Sequence, residues 1–596
     1  MQGAFINLPF NCRKGWLMRR VRWCFKCDVP LLGEKCNICG NRGRDCAKDL
    51  KPIFDKERKL LEKFLGIRIP SFAFRYRNRI IVGGRTFLTF RIDAENERLV
   101  PIRYPKIKKW ENDYDLREKV RDWIKANEDI LKEKERTTIE FIKNLSEKFS
   151  QMIVLFGGGK DSAVTAVLAK KALGNIPLLF IDTTLEFPET YRFVEKFARL
   201  YGFDLIKNEC GEFYKAEQDF FELCKRLGPP SIYYRWCCHV FKEQPVRHFL
   251  RDLGNSDIAF LTGIRKRESK RRKNYLPIEP GRKITKQTLV QPIIDWMDIE
   301  IWLYTIWRGI EVNELYKLGH ARVGCWPCPC TPPLMDLMRR LTHFKLWKKF
   351  ERVLLAYARA NSRSEKWVKK GLWRLRRPRR KKIFINPLEI REDEERFLFT
   401  YRLPYRESLL ERCKVLGDVK VHGKAFIVSR LNLFKMKGKF QDRFVELNIE
   451  CSKSSYLHTK RVVERFLSRV LNCIGCGACI SSCPKGALKV IGGTVKVSET
   501  CDSCGVCLKG SCTIEDSEKL FVVKFDPFFM SPCGEGLPMN HIIFPTKEIG
   551  KIVARKLCDR GVRVEVHEGG RIVCVDANFP RWRIERIVAS SLSTNR

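Results

Sequence analysis

Most of the 26 cysteines in this 596-residue chain stand in four tight groups. That spacing restricts the possible folds more than any other feature. The groups are Cys24/Cys27 with Cys36/Cys39, Cys237/Cys238 with Cys325/Cys328, Cys473/Cys476/Cys479/Cys483, and Cys501/Cys504/Cys507/Cys512. In a long chain, repeated Cys-x-x-Cys pairs point to metal binding rather than to a disulfide framework. The other cysteines, among them Cys12, Cys46, Cys210 and Cys330, read as small buried hydrophobes. Cys24, Cys27, Cys36 and Cys39 form two pairs able to wrap one ion and offer four thiolates for tetrahedral zinc, a structural site with no position left for substrate.

The chain is strongly basic, with 115 Lys+Arg against 70 Asp+Glu and a formal net charge of +45. A 44% hydrophobic content excludes a chain disordered throughout. No run of about 18 apolar residues appears, and the N-terminal segment lacks signal-peptide features, so a soluble cytoplasmic protein is expected. The charge fits either a surface that meets nucleic acid or a Lys/Glu-rich thermophile surface. Its densest run, Lys366 to Lys382, has no acidic residue and carries Trp367 and Trp373, a candidate contact for RNA.

From Met152 the pattern is strand, glycine turn, helix, strand: Met152-Ile-Val-Leu-Phe156, Gly157-Gly158-Gly159, Ala163 to Leu173, then Pro177 to Ile181. Continuous apolar strands joined by a helix predict an α/β domain with a central parallel sheet covered on both faces. In Gly157-Gly158-Gly159-Lys160-Asp161-Ser162 the glycines let backbone amides approach an anion, Lys160 adds charge, and Ser162 can cap the helix. It is not a Walker A loop, because Val154 stands where the first glycine belongs and Asp161 follows the lysine.

The loop resembles the pyrophosphate (PP) loop of the ATP-pyrophosphatase and sulfonucleotide reductase families, with Gly157 in place of the usual leading serine. Asp182-Thr-Thr-Leu-Glu-Phe-Pro-Glu-Thr190 is similar to a stretch of phosphoadenylyl- and adenylyl-sulfate (PAPS/APS) reductases, with Thr184 in place of a glycine. Asp182, at the carboxyl end of a strand, suits contact with a ribose or base. Leu261-Thr-Gly263-Ile-Arg265-Lys-Arg-Glu268-Ser269 and Pro292-Ile-Ile-Asp-Trp296 match the same family. The resemblance implies that Lys242 and Arg265 contact the sulfate and phosphate of the substrate. It further implies that Cys237, Cys238, Cys325 and Cys328 hold a [4Fe-4S] cluster, for which zinc is the alternative.

Cys473-x-x-Cys476-x-x-Cys479-x-x-x-Cys483-Pro484 resembles two-cluster bacterial ferredoxins, in which the last cysteine of each run crosses to the other cluster. That implies one [4Fe-4S] on Cys473, Cys476, Cys479 and Cys512 and another on Cys501, Cys504, Cys507 and Cys483. The domain expectation is a zinc ribbon at 1–50, a small β-rich region at 51–130 and the PP-loop domain at 131–345. A basic mixed linker at 346–465, a ferredoxin-type α+β domain at 466–518 and a small α/β region at 519–596 follow.

Reductases of this family use a cysteine in a C-terminal Glu-Cys-Gly-x-His motif, which this chain lacks. Glu209-Cys210-Gly211 lies mid-domain, and Glu450-Cys451-Ser452 keeps only two letters, which leaves Cys451 as the candidate nucleophile. The expected function is a sulfonucleotide reductase-like oxidoreductase that forms sulfite and an adenine nucleotide, with electrons entering from a low-potential donor through the fused clusters. The alternative is an ATP-dependent PP-loop enzyme that thiolates tRNA and uses the basic surface and zinc ribbon to hold it.

Overall fold

The computed structural model describes residues 19–93, 96–103, 116–209, 219–253, 258–269, 272–280, 287–376, 387–406, 408–430, 433–441, 444–473, 475–477, 479–491, 494–509, 522–524, 539–543, 547–559, 562, 564–567 and 572–576. Its centre is a six-stranded sheet in the order Leu205–Glu209, Leu178–Asp182, Gln151–Leu155, Ile258–Leu261, Thr288–Val290, Ile278–Pro280. The first five strands run parallel and the last pairs antiparallel at the edge. The chain starts in the middle at Gln151–Leu155, builds outward on one side, then returns to build on the other. The crevice above the carboxyl ends of Gln151–Leu155 and Ile258–Leu261 is therefore the switch point, where ligands of such sheets bind. The glycine loop leaves the first of these strands and Thr262-Gly263-Ile264-Arg265 leaves the second.

Ahead of this sheet stand two smaller ones. Val29–Leu31, Val21–Cys24 and Arg44–Ala47 form a three-stranded antiparallel sheet. Lys51–Pro52, Phe74–Tyr76, Arg79–Val82, Arg85–Asp93 and Arg98–Arg103 form a five-stranded meander. Neither is a tethered module. Trp23, Leu31, Phe74 and Leu131 share one continuous apolar core with Val154, Ala166, Ile299 and Tyr304 of the central domain. The opposite face of the central sheet packs Ile153, Leu179, Ile258 and Phe260 against Phe249 and Leu250.

The stretch expected to be a mixed linker holds helix Phe344–Ala360 and then a six-stranded antiparallel sheet spanning Glu389–Ser452. One face of that sheet is apolar through Met436, Val445, Leu447 and Ile449, and it shares a core with helix Tyr456–Asn472 and with Cys483 and Cys507. The segment 510–521, with Cys512, lies outside the described residues, as do Cys12 and Cys210. In the basic run, Trp367 and Trp373 point inward with Arg374 and Arg376, all of them buried. Those aromatics hold an apolar core together instead of presenting stacking surfaces, so the candidate RNA contact is not supported. Residues 377–382 lie outside the described part. Among the described residues no helix is long and apolar enough to cross a membrane.

Candidate nucleotide and metal sites

The glycine loop ends in helix Lys160–Leu173, whose N-cap is Gly159. Gly158 adopts a φ of +68°, a left-handed conformation open to glycine. Asn313 Nδ2 donates to its carbonyl at 3.3 Å. Gly263 is needed for a different reason. A Cβ there would sit 2.6 Å from Asp161 C and Ser162 N, so glycine alone lets the second strand-end loop lie against the first. Ser162 does not cap the helix as expected. Its Oγ donates to the Gly159 carbonyl at 2.8 Å and so does not occupy the amides of the first turn.

Around that loop the charges are paired and nearly dry. Lys160 Nζ lies 2.8 Å from Asp161 Oδ2 and 2.9 Å from Asp298 Oδ1. Arg265 spans the same two carboxylates, Nε to Asp161 Oδ1 at 2.6 Å and NH2 to Asp298 Oδ1 at 2.7 Å. Burial alone would raise the Asp161 carboxyl, but Arg265 and Lys160 hold it down at about 2. Burial works against Lys160 and Arg265 too, yet the two carboxylates keep both firmly charged. Tyr316 completes the frame by accepting the Lys160 backbone N–H on its hydroxyl at 2.9 Å. Asp298 and Tyr316 escaped sequence reasoning. Asp298 lies just past the Pro292–Trp296 stretch, whereas nothing local marks Tyr316.

Asp182 sits at the strand end as expected. Its Oδ1 accepts from Thr184 N and from Tyr191 Oη, both at 2.7 Å. The turn it stabilises holds Thr184 at a φ of +59°, where its family counterpart is glycine. A β-branched residue is strained there. Thr184→Gly is therefore expected to raise stability by about 0.5–1 kcal/mol, the relieved strain less the extra freedom glycine gives the unfolded chain. A thermal melt of the two proteins side by side checks this, and a lowered melting point would count against it.

The second site gathers thiols from two distant segments. Cys237 and Cys238 sit on the turn Trp236–Cys238, which runs into the π-helical stretch His239–Glu243. Cys325 and Cys328 come from the loop after Tyr316, where the Trp326 N–H bonds the Leu185 carbonyl at 2.8 Å. Cys238, Cys328 and Cys325 all act on the ionisation of Cys237, and Cys328 acts on Cys238 and Cys325 as well. Cys330, expected to be an inert filler, belongs to the same group, since its thiol hydrogen-bonds Cys328. Lys242 lies beside them, raised above its ordinary range first by Cys325 and also by Glu186, whose Oε1 is 4.0 Å away.

The N-terminal four-cysteine set is tighter. The sulfur atoms of Cys24, Cys27, Cys36 and Cys39 all lie within 4.8 Å of one another. Tetrahedral zinc with bonds of about 2.3 Å places its thiolates about 3.8 Å apart, so these donors fit one ion. Among the described residues no other group of three or more potential ligands is that compact. A cubane cluster holds its thiolates farther apart than a single ion does, so the looser grouping of the other sets suits iron–sulfur ligation. In the C-terminal segment Cys483, Cys501 and Cys504 all act on Cys507, which brings together the four expected to share a cluster. Cys473 and Cys479 pack on the same core as Cys483, Cys501 and Cys507, while Cys512, expected to join them and Cys476, lies outside the described residues.

That C-terminal segment abuts the central domain. Cys476 packs on the same aromatic core, built on Trp236, Phe241 and Trp326, that Cys237 and Cys325 touch. Arg247 NH1 donates to Ser482 Oγ across the contact at 2.8 Å. Cys451 is elsewhere. It lies 3% exposed on the apolar face of the antiparallel sheet, opposite Phe397 and Phe434, and burial pushes its thiol up. A packed, neutral thiol away from the glycine loop is not placed to attack a substrate there, and the expectation of a nucleophile at Cys451 falls.

Comparison with known proteins fits this geometry. The phosphoadenosine phosphosulfate reductase domain model matches residues 151–331, and the 4Fe-4S binding domain model matches residues 471–489. An uncharacterised protein of Methanocaldococcus jannaschii is 39% identical over 260 residues, 43% of this chain and 52% of the relative, so the chain spans about half that protein's length. An adenosine 5'-phosphosulfate reductase of Neisseria meningitidis is 29% identical over 176 residues, covering 28% of this chain and 67% of the relative. The crystal structure of a phosphoadenylyl-sulfate reductase from Candida auris superposes with a TM-score of 0.27 at 23% identity, over 32% of this chain and 89% of that one. Residues 151–331 are thus a phosphoadenosine phosphosulfate reductase domain of the PP-loop superfamily, which this chain joins to an N-terminal four-cysteine module and a C-terminal 4Fe-4S binding domain.

Proposed function

We propose that this protein is a sulfonucleotide reductase. It splits adenylyl sulfate or its 3'-phosphorylated form into sulfite and an adenine nucleotide, with electrons supplied through the fused iron–sulfur module. The observation that carries this reading is a series of cations between the glycine loop and the paired-cysteine site, Arg265, Arg272, Arg322 and Lys242, near enough to act on the charges of both. Arg272, which pairs with Glu268, is pushed down by burial and feels Arg322 as well as Asp161 and Arg265 of the loop site. Arg322 and Lys242 in turn act on Cys328. A substrate with a phosphate at one end of its reacting group and a sulfonate at the other matches a series of that kind. A nucleotide triphosphate would need it only at the loop.

The balance of the reaction is a phosphate–sulfate mixed anhydride plus two electrons, giving the free nucleotide and sulfite, with a proton taken up only as either product is protonated. The bond from sulfur to the bridging oxygen breaks with its electron pair left on that oxygen, and sulfur receives the two electrons from the donor. The amides at the start of helix Lys160–Leu173, with Arg265 and Arg272, hold the phosphate whose oxygen leaves. Lys242 neutralises the sulfonate. Iron–sulfur clusters on the cysteine sets would supply single electrons. Docking of the 471–489 segment beside Cys237 and Cys325 supports that route of supply.

Anaerobically purified protein given reduced viologen is expected to release sulfite from one of the two sulfonucleotides, and the preferred one names the substrate. No sulfite from either, at full iron content, would overturn the reading.

A further inference from the structure

Helix Asp298–Trp307 begins with only half a local cap, Glu300 Oε2 accepting the Met297 N–H at 2.8 Å. Its N-cap residue is Met297, which has no side-chain oxygen to accept the first free amides. The acceptor comes from the N-terminal module instead. Asp49 Oδ2 accepts the Asp298 N–H at 3.0 Å and Asp49 Oδ1 accepts the Ile299 N–H at 3.0 Å, across separations of 249 and 250 residues. Asp298 is the carboxylate that holds Lys160 and Arg265, and its second oxygen accepts from Trp302 Nε1 at 3.2 Å. Asp49 lies only two residues past Ala47, the end of the strand Arg44–Ala47 that pairs with the cysteine-bearing strand Val21–Cys24.

A second strut reaches the other side of the loop. Lys51 Nζ is 3.4 Å from the Tyr316 carbonyl, and Arg75 NH2 donates to the Gly319 carbonyl at 3.1 Å. Tyr316 is the residue whose hydroxyl accepts the Lys160 N–H. Both struts start outside residues 151–331.

We infer that Asp49 is a positioning residue for the nucleotide site: it caps the helix that carries Asp298 and so sets where Lys160 and Arg265 stand. The inference rests on the glycine loop being a nucleotide site. It assigns the N-terminal region a part in substrate binding through a side chain that touches no substrate. Capping depends on an oxygen acceptor rather than on charge, so the identity of the replacement decides the result.

The test compares Asp49→Ala, Asp49→Asn and Asp49→Ser in the full-length, cluster-loaded protein. Adenylyl sulfate and ATP are each titrated calorimetrically, and KM and kcat for sulfite release are measured on the same preparations. Asp49→Ala is expected to weaken affinity and raise KM about tenfold with kcat changed less than about threefold, because loss of a cap lets the helix start shift. Asn and Ser each keep one acceptor for the two amides and are expected to lose about threefold, clearly less than Asp49→Ala. Affinity unchanged in a folded Asp49→Ala protein overturns the inference. So does equal damage in all three variants, which would mark charge or general stability as the cause. Should Asp49→Ala fail to fold, the Asn and Ser variants still decide, since a loss of about tenfold in both sinks the capping role. A parent that binds ATP and not adenylyl sulfate would overturn the proposed substrate, while the Asp49 comparison proceeds on ATP.

Discussion

An Arg265→Ala variant is expected to lose about 10²–10³-fold in kcat/KM for sulfite release while keeping its iron content. The size follows from what Arg265 does in the folded protein. It is 4% exposed and bridges two carboxylates, Asp161 and Asp298, which Lys160 also contacts. Removing it leaves two carboxylates sharing one lysine beside the proposed phosphate site. The Asp161 carboxyl, now held at about 2, then climbs toward its ordinary value of about 3.9. Arg265→Lys is not a conservative control, because a single ammonium cannot span both carboxylates as the guanidinium fork does. It is expected to recover less than a tenth of the lost activity. Anaerobic kinetics with reduced viologen, alongside iron analysis of each preparation, check both statements. A loss below about tenfold in the alanine variant would remove Arg265 from the site.

That arrangement was partly legible from residue order alone. The glycine loop, Arg265 and the four N-terminal cysteines could be found because their chemistry lies within a few residues, where a strand end, a turn or a Cys-x-x-Cys pair leaves a local pattern. Asp298, Tyr316 and Asp49 could not. Each acts on the loop from more than a hundred positions away, and an isolated aspartate or tyrosine carries no mark of the partner it meets in the fold. The antiparallel sheet over Glu389–Ser452 failed for a different reason. Its alternation is present in Phe434, Met436, Gly438 and Phe440, and again in Val445, Leu447, Ile449 and Cys451. The intervening lysines at 435, 437 and 439 made the stretch look like a basic linker, although lysines on the open face are what a half-buried strand requires. Cys330 was missed because its group was read as Cys-x-x-Cys and stopped at Cys328. Trp367 and Trp373 were misread because aromatic residues among cations suit a nucleic-acid surface and a cation–π-lined core equally well. Only burial separates the two, and Trp373 is fully buried, with the Arg374 guanidinium 5.0 Å from its ring centre.

The largest stability effect is expected at Glu57, in the N-terminal region that braces the glycine loop. Its carboxylate is 1% exposed and bonds Lys51 Nζ at 2.5 Å and Arg75 Nε at 2.7 Å, an internal triad that also carries the strut to Tyr316 and Gly319. Burial opposes the charge on Glu57, but Lys51 and Arg75 hold its carboxyl below the ordinary range. The stability it contributes is therefore present above about pH 4.3 and lost as pH falls through the lower folded value. Glu57→Ala leaves two buried cations facing each other and is expected to cost about 3–5 kcal/mol. The pH dependence of the variant distinguishes this cause from a simple cavity. Lys51 is already pushed down to about 8 by burial, and without Glu57 it falls further. The folded state then releases the Lys51 proton well before the unfolded chain does, at about 10.4, so stability rises with pH across that window. The deficit of Glu57→Ala relative to the parent is thus expected to shrink between neutral pH and about pH 9. A cavity would cost the same at both. Urea unfolding of parent and variant at pH 7 and 9 measures the difference. A pH-independent deficit would mean that packing, and not the stranded charge of Lys51, sets the cost of losing Glu57.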